Sequence, residues 1–157
     1  MRLMVPLVLA ALVSGCASSI DFGPETSPAL VAASLPPDDR EVRAHGWCVA
    51  YLGVRITKIH GTASTVVLGT CAVTDKAFVL MQWDPGQGKL YPIKRILIAE
   101  ILAIEREGPG RARPLIVQSG PYTFDTFEMR SSVINADHAM NDRVAELLLE
   151  QRNDGEN

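Results

Sequence analysis

Hydrophobic patterning divides the chain into stretches of different texture. Residues 3–13 are one unbroken apolar run, and residues 16–41 hold neither a two-residue nor a 3.6-residue period. From Val42 onward, short runs of β-branched and aromatic residues alternate with turn residues at fairly even spacing, which predicts a strand-rich domain. "GWCVAYL" and "VRITKI" read as strands meeting at Gly53, where a bend or bulge is expected. "STVVLGTCAV" and "AFVLMQW" flank "TDK", a tight hairpin whose turn Asp75 is suited to make. "DPGQGK" is an open turn leading into "LYPIKRILI", and "LAIERE" and "PLIVQS" are separated by the loop "GPGRAR". "GP" at 120 and 121 then turns the chain into "YTFDTF", which alternates in period two. "RILIAEILAIER" also fits helical spacing, but its short apolar runs and clustered isoleucines favour strand.

The carboxyl end changes period. Met140, Val144, Leu147, Leu148 and Gln151 recur at i, i+4, i+7, i+8 and i+11, with Asn141, Asp142, Arg143, Glu146 and Glu150 elsewhere on the wheel. The spacing predicts one amphipathic helix, capped at its start by Asn135 or Asp137 and released over residues 153–155. Its apolar stripe needs a surface to cover, and the strand-rich body before it is the only candidate.

The first apolar run has the form of a secretion signal: Arg2 precedes it, Ser14 and Gly15 are small, and it is too short to span a bilayer. The sequence "VSGC" at its end resembles the lipobox of bacterial lipoproteins. That resemblance implies cleavage after residue 15, with Cys16 becoming an S-lipidated and N-acylated first residue and palmitate among its acyl chains. Each buried methylene contributes about 0.8 kcal/mol, so several chains on one cysteine anchor stably where a single chain does not. Ala17 stands where lipoproteins retained in the inner membrane commonly carry Asp, so the expected address is the periplasmic face of the outer membrane. Residues 16–41, with four prolines and several serines, read as a tether, whose roughly 24 residues after the cysteine span roughly 27 Å as flexible chain. The expected organisation is a signal peptide at 1–15, an acylated tether at 16–41, a domain at 42–152 and a polar tail at 153–157.

Length allows a single folded domain, and 15 basic residues against 18 acidic ones, without a block of like charge, give no general attraction to nucleic acid or anionic lipid. With Cys16 lipidated, Cys48 and Cys71 remain, 23 residues apart, in a compartment that permits disulfides. They form either a bridge or two buried thiols packed as small hydrophobes.

Several stretches together resemble a family. "GTCAVTDKAFVL" is similar to the strand, Thr-Asp-Lys turn and strand of bacterial GRAM-type, PH-like domains. "AEILAIERE" is similar to their acidic-Ile-x-small-Ile-Glu stretch, and "LIVQSGPYTFDTF" to their paired carboxyl strands. The resemblance covers residues 42–152. It implies a mainly β fold: a small barrel, or a sandwich of two nearly orthogonal sheets, of six to seven antiparallel strands capped by the terminal helix.

Catalytic chemistry has no visible carrier. His45, His60 and His138 lie in unrelated elements without metal-ligand spacing, GxSxG is absent, and "GQGK" and "GPGR" are too short for a phosphate loop. Asp75, Glu100, Glu105 and Asp125 are expected in turns or on solvent-facing strand positions, not as a paired acid and base. Two basic groups suit binding. Arg55 and Lys58, with His60, lie near a strand-to-strand loop where PH-like domains gather charge to meet lipid phosphates, although the dense cluster of those domains is missing here. Arg106, Arg111 and Arg113 surround "GPG" and suit a protein contact or a soluble loop. The sequence therefore predicts a noncatalytic, membrane-anchored periplasmic lipoprotein without cofactor, metal or nucleic-acid partner. Its PH-like module serves as an adaptor for an envelope protein, with an anionic lipid or phosphate as the alternative ligand.

Overall fold

A computed structural model describes residues 26–53, 65–106, 113–132 and 134–154. Seven antiparallel strands form one sheet: β1 (Val42–Leu52), β2 (Thr65–Thr74), β3 (Ala77–Asp84), β4 (Lys89–Leu97), β5 (Ala103–Arg106), β6 (Leu115–Gly120) and β7 (Thr123–Arg130). A six-residue helix, α1 (Pro28–Ala33), precedes them, and α2 (His138–Asp154) follows. The strand order is β4-β3-β2-β1-β7-β6-β5, so β1 is the hinge on which the first four strands and the last three meet. Its whole length pairs with β2, whereas only Trp47 to Tyr51 also pair with β7.

The sheet curls on itself. Phe78 of β3 and Phe127 of β7 stand three places apart in the strand order, yet their rings meet edge to face at 4.7 Å. Inward-facing residues of every strand, β5 through the partly buried Ile104, join one core with Ile98 and Ile101 and with Val144, Ala145, Leu147 and Leu148 of α2. The predicted stripe therefore covers the core. Asp137 caps the helix by accepting from the N–H of Met140 at 2.9 Å. Asn141, which the helical wheel sets among the outward polar residues, is instead fully buried. Its Oδ1 accepts the N–H of Met129 at 2.9 Å, so it satisfies a strand donor that α2 would otherwise cut off from water.

Turn chemistry explains the hairpins. In the β2–β3 turn the hydroxyl of Thr74, rather than Asp75, accepts from the N–H groups of Lys76 and Ala77, while Asp75 reaches sideways to Arg43 at 2.6 Å. That guanidinium holds the Asp75 carboxyl below the usual carboxylate range, first through the hydrogen bond. Asp84 closes the β3–β4 turn by accepting from Gly86 and Gln87, and Gly88 supplies the positive φ. A Cβ on Gly69 would lie 2.1 Å from the carbonyl oxygen of Met81, so only glycine lets β2 cross β3 so closely. "RILIAEILAIER" forms neither one helix nor one strand. β4 runs to Leu97, a single 3-10 turn follows (Ile98–Glu100), and β5 starts at Ala103. Proximity to the core helix takes up the apolar residues in that turn, since Ile98 and Ile101 pack inward.

The boundary at 41/42 needs correction. Residues 26–41, assigned by composition to the tether, fold against the outer face of the sheet as a strap. Val31 and Leu35 are buried there in a second, smaller core with Ala72, Ala77, Val79, Met81 and Leu90. Asp38 pairs with Lys76 at 2.7 Å, and the fully buried carboxylate of Asp39 pairs with Arg95 at 2.6 Å. Residues 1–25, including the signal segment and Cys16, lie outside the described residues, as do 155–157 of the tail.

Candidate functional site

Of the residues singled out by sequence, Cys16, Arg55, Lys58, His60 and Arg111 lie outside the described residues. Cys48 and Cys71 are described, and they are bridged. β1 and β2 pair Cys48 with Gly69 and Gly46 with Cys71, which sets the two cysteines diagonally across neighbouring strands with Cα atoms 5.7 Å apart. The disulfide is fully buried in the main core. It is an internal brace, not a reactive group.

Asp125 departs from its expected solvent-facing position. Phe127 and Met129 belong to the core, so their two-residue partner Asp125 also points inward, and its side chain is fully buried. Lys94 comes from β4, four places from β7 in the strand order, and its Nζ lies 2.5 Å from Asp125 Oδ2. Asp125 Oδ1 accepts from the N–H of Gly53, whose positive φ of 73° ends β1. One carboxylate thereby ties β4, β7 and the end of β1 together inside the curl. It meets a cation and a backbone donor, the pattern of a buried structural ion pair. Among the described residues no group of three His, Cys, Asp or Glu side chains is placed to hold a metal ion.

Shallow clefts occur at two places among the described residues. One, of about 410 Å³, lies at the β3–β4 hairpin against Trp83, Pro85 and Tyr91. The other, of about 420 Å³, lies between the start of the strap and the outer faces of β1 and β7, with Thr26, His45, Trp47, Arg130 and Asp137 around it. Burial disfavours charging of His45 and holds its pKa below the ordinary imidazole value.

Among the described residues the two end strands of the sheet, β4 and β5, differ in build. β4 carries Pro92, which donates no hydrogen bond, and its pairing with β3 shifts register between Leu80 and Met81, leaving Ile93 bulged. Those features blunt it. β5 is only four residues long and carries no proline or register shift, and α2 runs beside it: Arg152 Nη1 donates to the carbonyl of Leu102, and Arg106 pairs with Asp142. Desolvation lowers the pKa of Arg106, as does nearby Arg113, while Glu146 opposes the shift. Leu102 is 57% exposed and Leu149 37% exposed on the two sides of this seam. Sequence reasoning found the Arg106 group but missed Leu102 and Leu149, because a leucine in an amphipathic run is normally assigned to the core.

No family model matches the chain, and a search of curated proteins finds no relative. Similarity appears among solved structures. Human RhoA in complex with the DH/PH fragment of PDZRHOGEF matches with a TM-score of 0.51 and 13% identity, covering 82% of this chain and 36% of that one. The N-terminally truncated linker-DH/PH domains of p115-RhoGEF match with a TM-score of 0.46 and 12% identity, over 73% of this chain and 29% of that one. This chain thus spans about a third of the length of the chains it resembles. At such identity the likeness is one of fold alone: seven antiparallel strands in a curled sheet with a terminal helix across the core form a mainly β, PH-like domain.

Proposed function

We propose that the chain is a noncatalytic lipoprotein of the bacterial envelope, anchored through Cys16, whose PH-like body docks a protein partner. The observation that carries the docking reading is the β5–α2 seam. It carries exposed Leu102 and Leu149 along the terminal strand of the sheet and the helix beside it, an apolar surface of the kind that helix docking uses. The buried Cys48–Cys71 bridge supports the exported address, because such bonds persist in oxidising compartments. The "VSGC" sequence supports acylation, and Ala17 the outer membrane.

A photocrosslinking residue placed at 102 or 149 in living cells tests the docking surface, with position 87 in the opposite hairpin as control. One discrete protein adduct from 102 and 149, absent from 87 and abolished by Leu149→Glu in the position-102 protein, is the expected result. Adducts at neither seam position would refute it. Vesicle cosedimentation of the soluble body checks the lipid alternative: binding to anionic vesicles that is lost in Arg55→Glu/Lys58→Glu would replace the protein partner by a headgroup.

A further inference from the structure

The strap over residues 26–41 is attached to the body in an unusual way. Its described backbone hydrogen bonds outside the strands close on the strap itself: Val31 to Ser27, Ser34 to Val31, Leu35 to Ala32 and Asp39 to Pro36. Arg40 Nε likewise donates to Leu35 within the same segment. α1 has six residues, too few to be stable as an isolated helix, so its order depends on the surface beneath it. That surface is the smaller core, which shares no residue with the core under α2. The polar attachments are side-chain pairs. Asp38–Lys76 is exposed at both ends, whereas Asp39 is buried, with one oxygen on Arg95 and the other without a hydrogen-bond partner.

We infer that the strap is a latch that opens as a unit while the seven-stranded body stays folded, and that Asp39–Arg95 is its fastening. Opening breaks no ladder bond of the sheet and leaves the α2 core closed. It uncovers the outer face of β2 to β4 and frees residues 26–41. Resting on the proposed Cys16 anchorage, this adds a second setting to the distance between body and bilayer. With the latch shut, about 10 residues separate the anchor from Thr26 and reach at most roughly 35 Å. With it open, about 26 residues precede β1 and reach roughly 90 Å at full extension.

Native-state hydrogen exchange on the full chain tests the latch without requiring acylation, so its result stands apart from the anchorage reading. The N–H groups of Val31, Leu35 and Asp39 are expected to exchange at least tenfold faster than those of Cys48, Cys71 and Leu80 under non-denaturing conditions. Arg95→Gln is expected to speed the strap amides a further tenfold and to leave the strand amides unchanged. Lys76→Gln, which removes only the exposed pair, should change the strap amides less than twofold. Equal exchange of strap and strand amides in the native protein would overturn the inference, as would equal acceleration of both by Arg95→Gln. Should Arg95→Gln fail to fold, the latch and body are one cooperative unit and the inference is likewise refuted.

Discussion

Asp125 links segments that the sheet order keeps apart, and this makes it a sensitive residue. Its removal leaves Lys94 partly buried and unpaired and takes the acceptor from Gly53 N–H. Asp125→Ala should therefore cost about 3–5 kcal/mol in urea unfolding, and Lys94→Met, which strands a buried carboxylate, a similar amount. The double variant should cost clearly less than the two single costs added, because neither charge is then left alone. Strict additivity would show that the pair does not interact. His45 gives a second check. Burial lowers its pKa in the folded protein, so as pH falls below about 6.5 the unfolded chain takes up the proton first. Stability should decline with falling pH from that point, and His45→Gln should flatten the decline between pH 6.5 and 5; an unchanged profile would exclude His45 as its source. Neither residue's setting was legible in the sequence. In "YTFDTF" the two-residue period separates two faces without saying which is inside, and Tyr122 and Phe124 make the wrong face look apolar. Only the continuation through Phe127 and Met129 settles that Asp125 points inward.

At the scale of elements, local rules located the hairpins, β1 and α2, because each combines a clean period with specific turn or cap residues. The strap escaped because a six-residue helix beginning at a proline has too little length for a period. A signal for it nevertheless exists in other strands. β2 and β3 are apolar on both faces, with Val73 and Phe78 facing one core and Ala72 and Val79 the other. A strand buried on both faces needs two covers, and α2 supplies only one. The disulfide belongs to this scale as well, since it braces β1 to β2 at their inward face. In the chain-entropy account a loop of 23 residues contributes about 3–4 kcal/mol. The Cys48→Ala/Cys71→Ala variant should lose at least that much in guanidinium unfolding. A reductant should leave the folded protein oxidised until it unfolds, because both sulfurs are sealed from solvent. Rapid reduction of the native protein, followed by thiol mass labelling, would contradict that burial.

At the scale of the whole molecule, no helix among the described residues is long and apolar enough to cross a membrane, so the proposed hold on a bilayer rests on Cys16. Its formal charge of −3 gives no general pull toward an anionic surface. In the proposed anchorage, acylation of Cys16 would supply the attachment: at about 0.8 kcal/mol per buried methylene, several chains together hold stably where a single chain does not. Cys16→Ser is therefore expected to shift the protein wholly from the envelope pellet to the soluble fraction. Intact mass of the native protein should show residue 16 as the first residue, with diacylglycerol and one further acyl chain. The fold itself should not depend on that anchor, because both cores are built from residues 30 onward. Cys16→Ser should accordingly unfold at the same denaturant midpoint as the native protein in detergent. A variant that remained in the pellet while unmodified would mean that the body itself holds the membrane, and the seam at β5 and α2 would then be read as a lipid-facing surface instead of a protein-facing one.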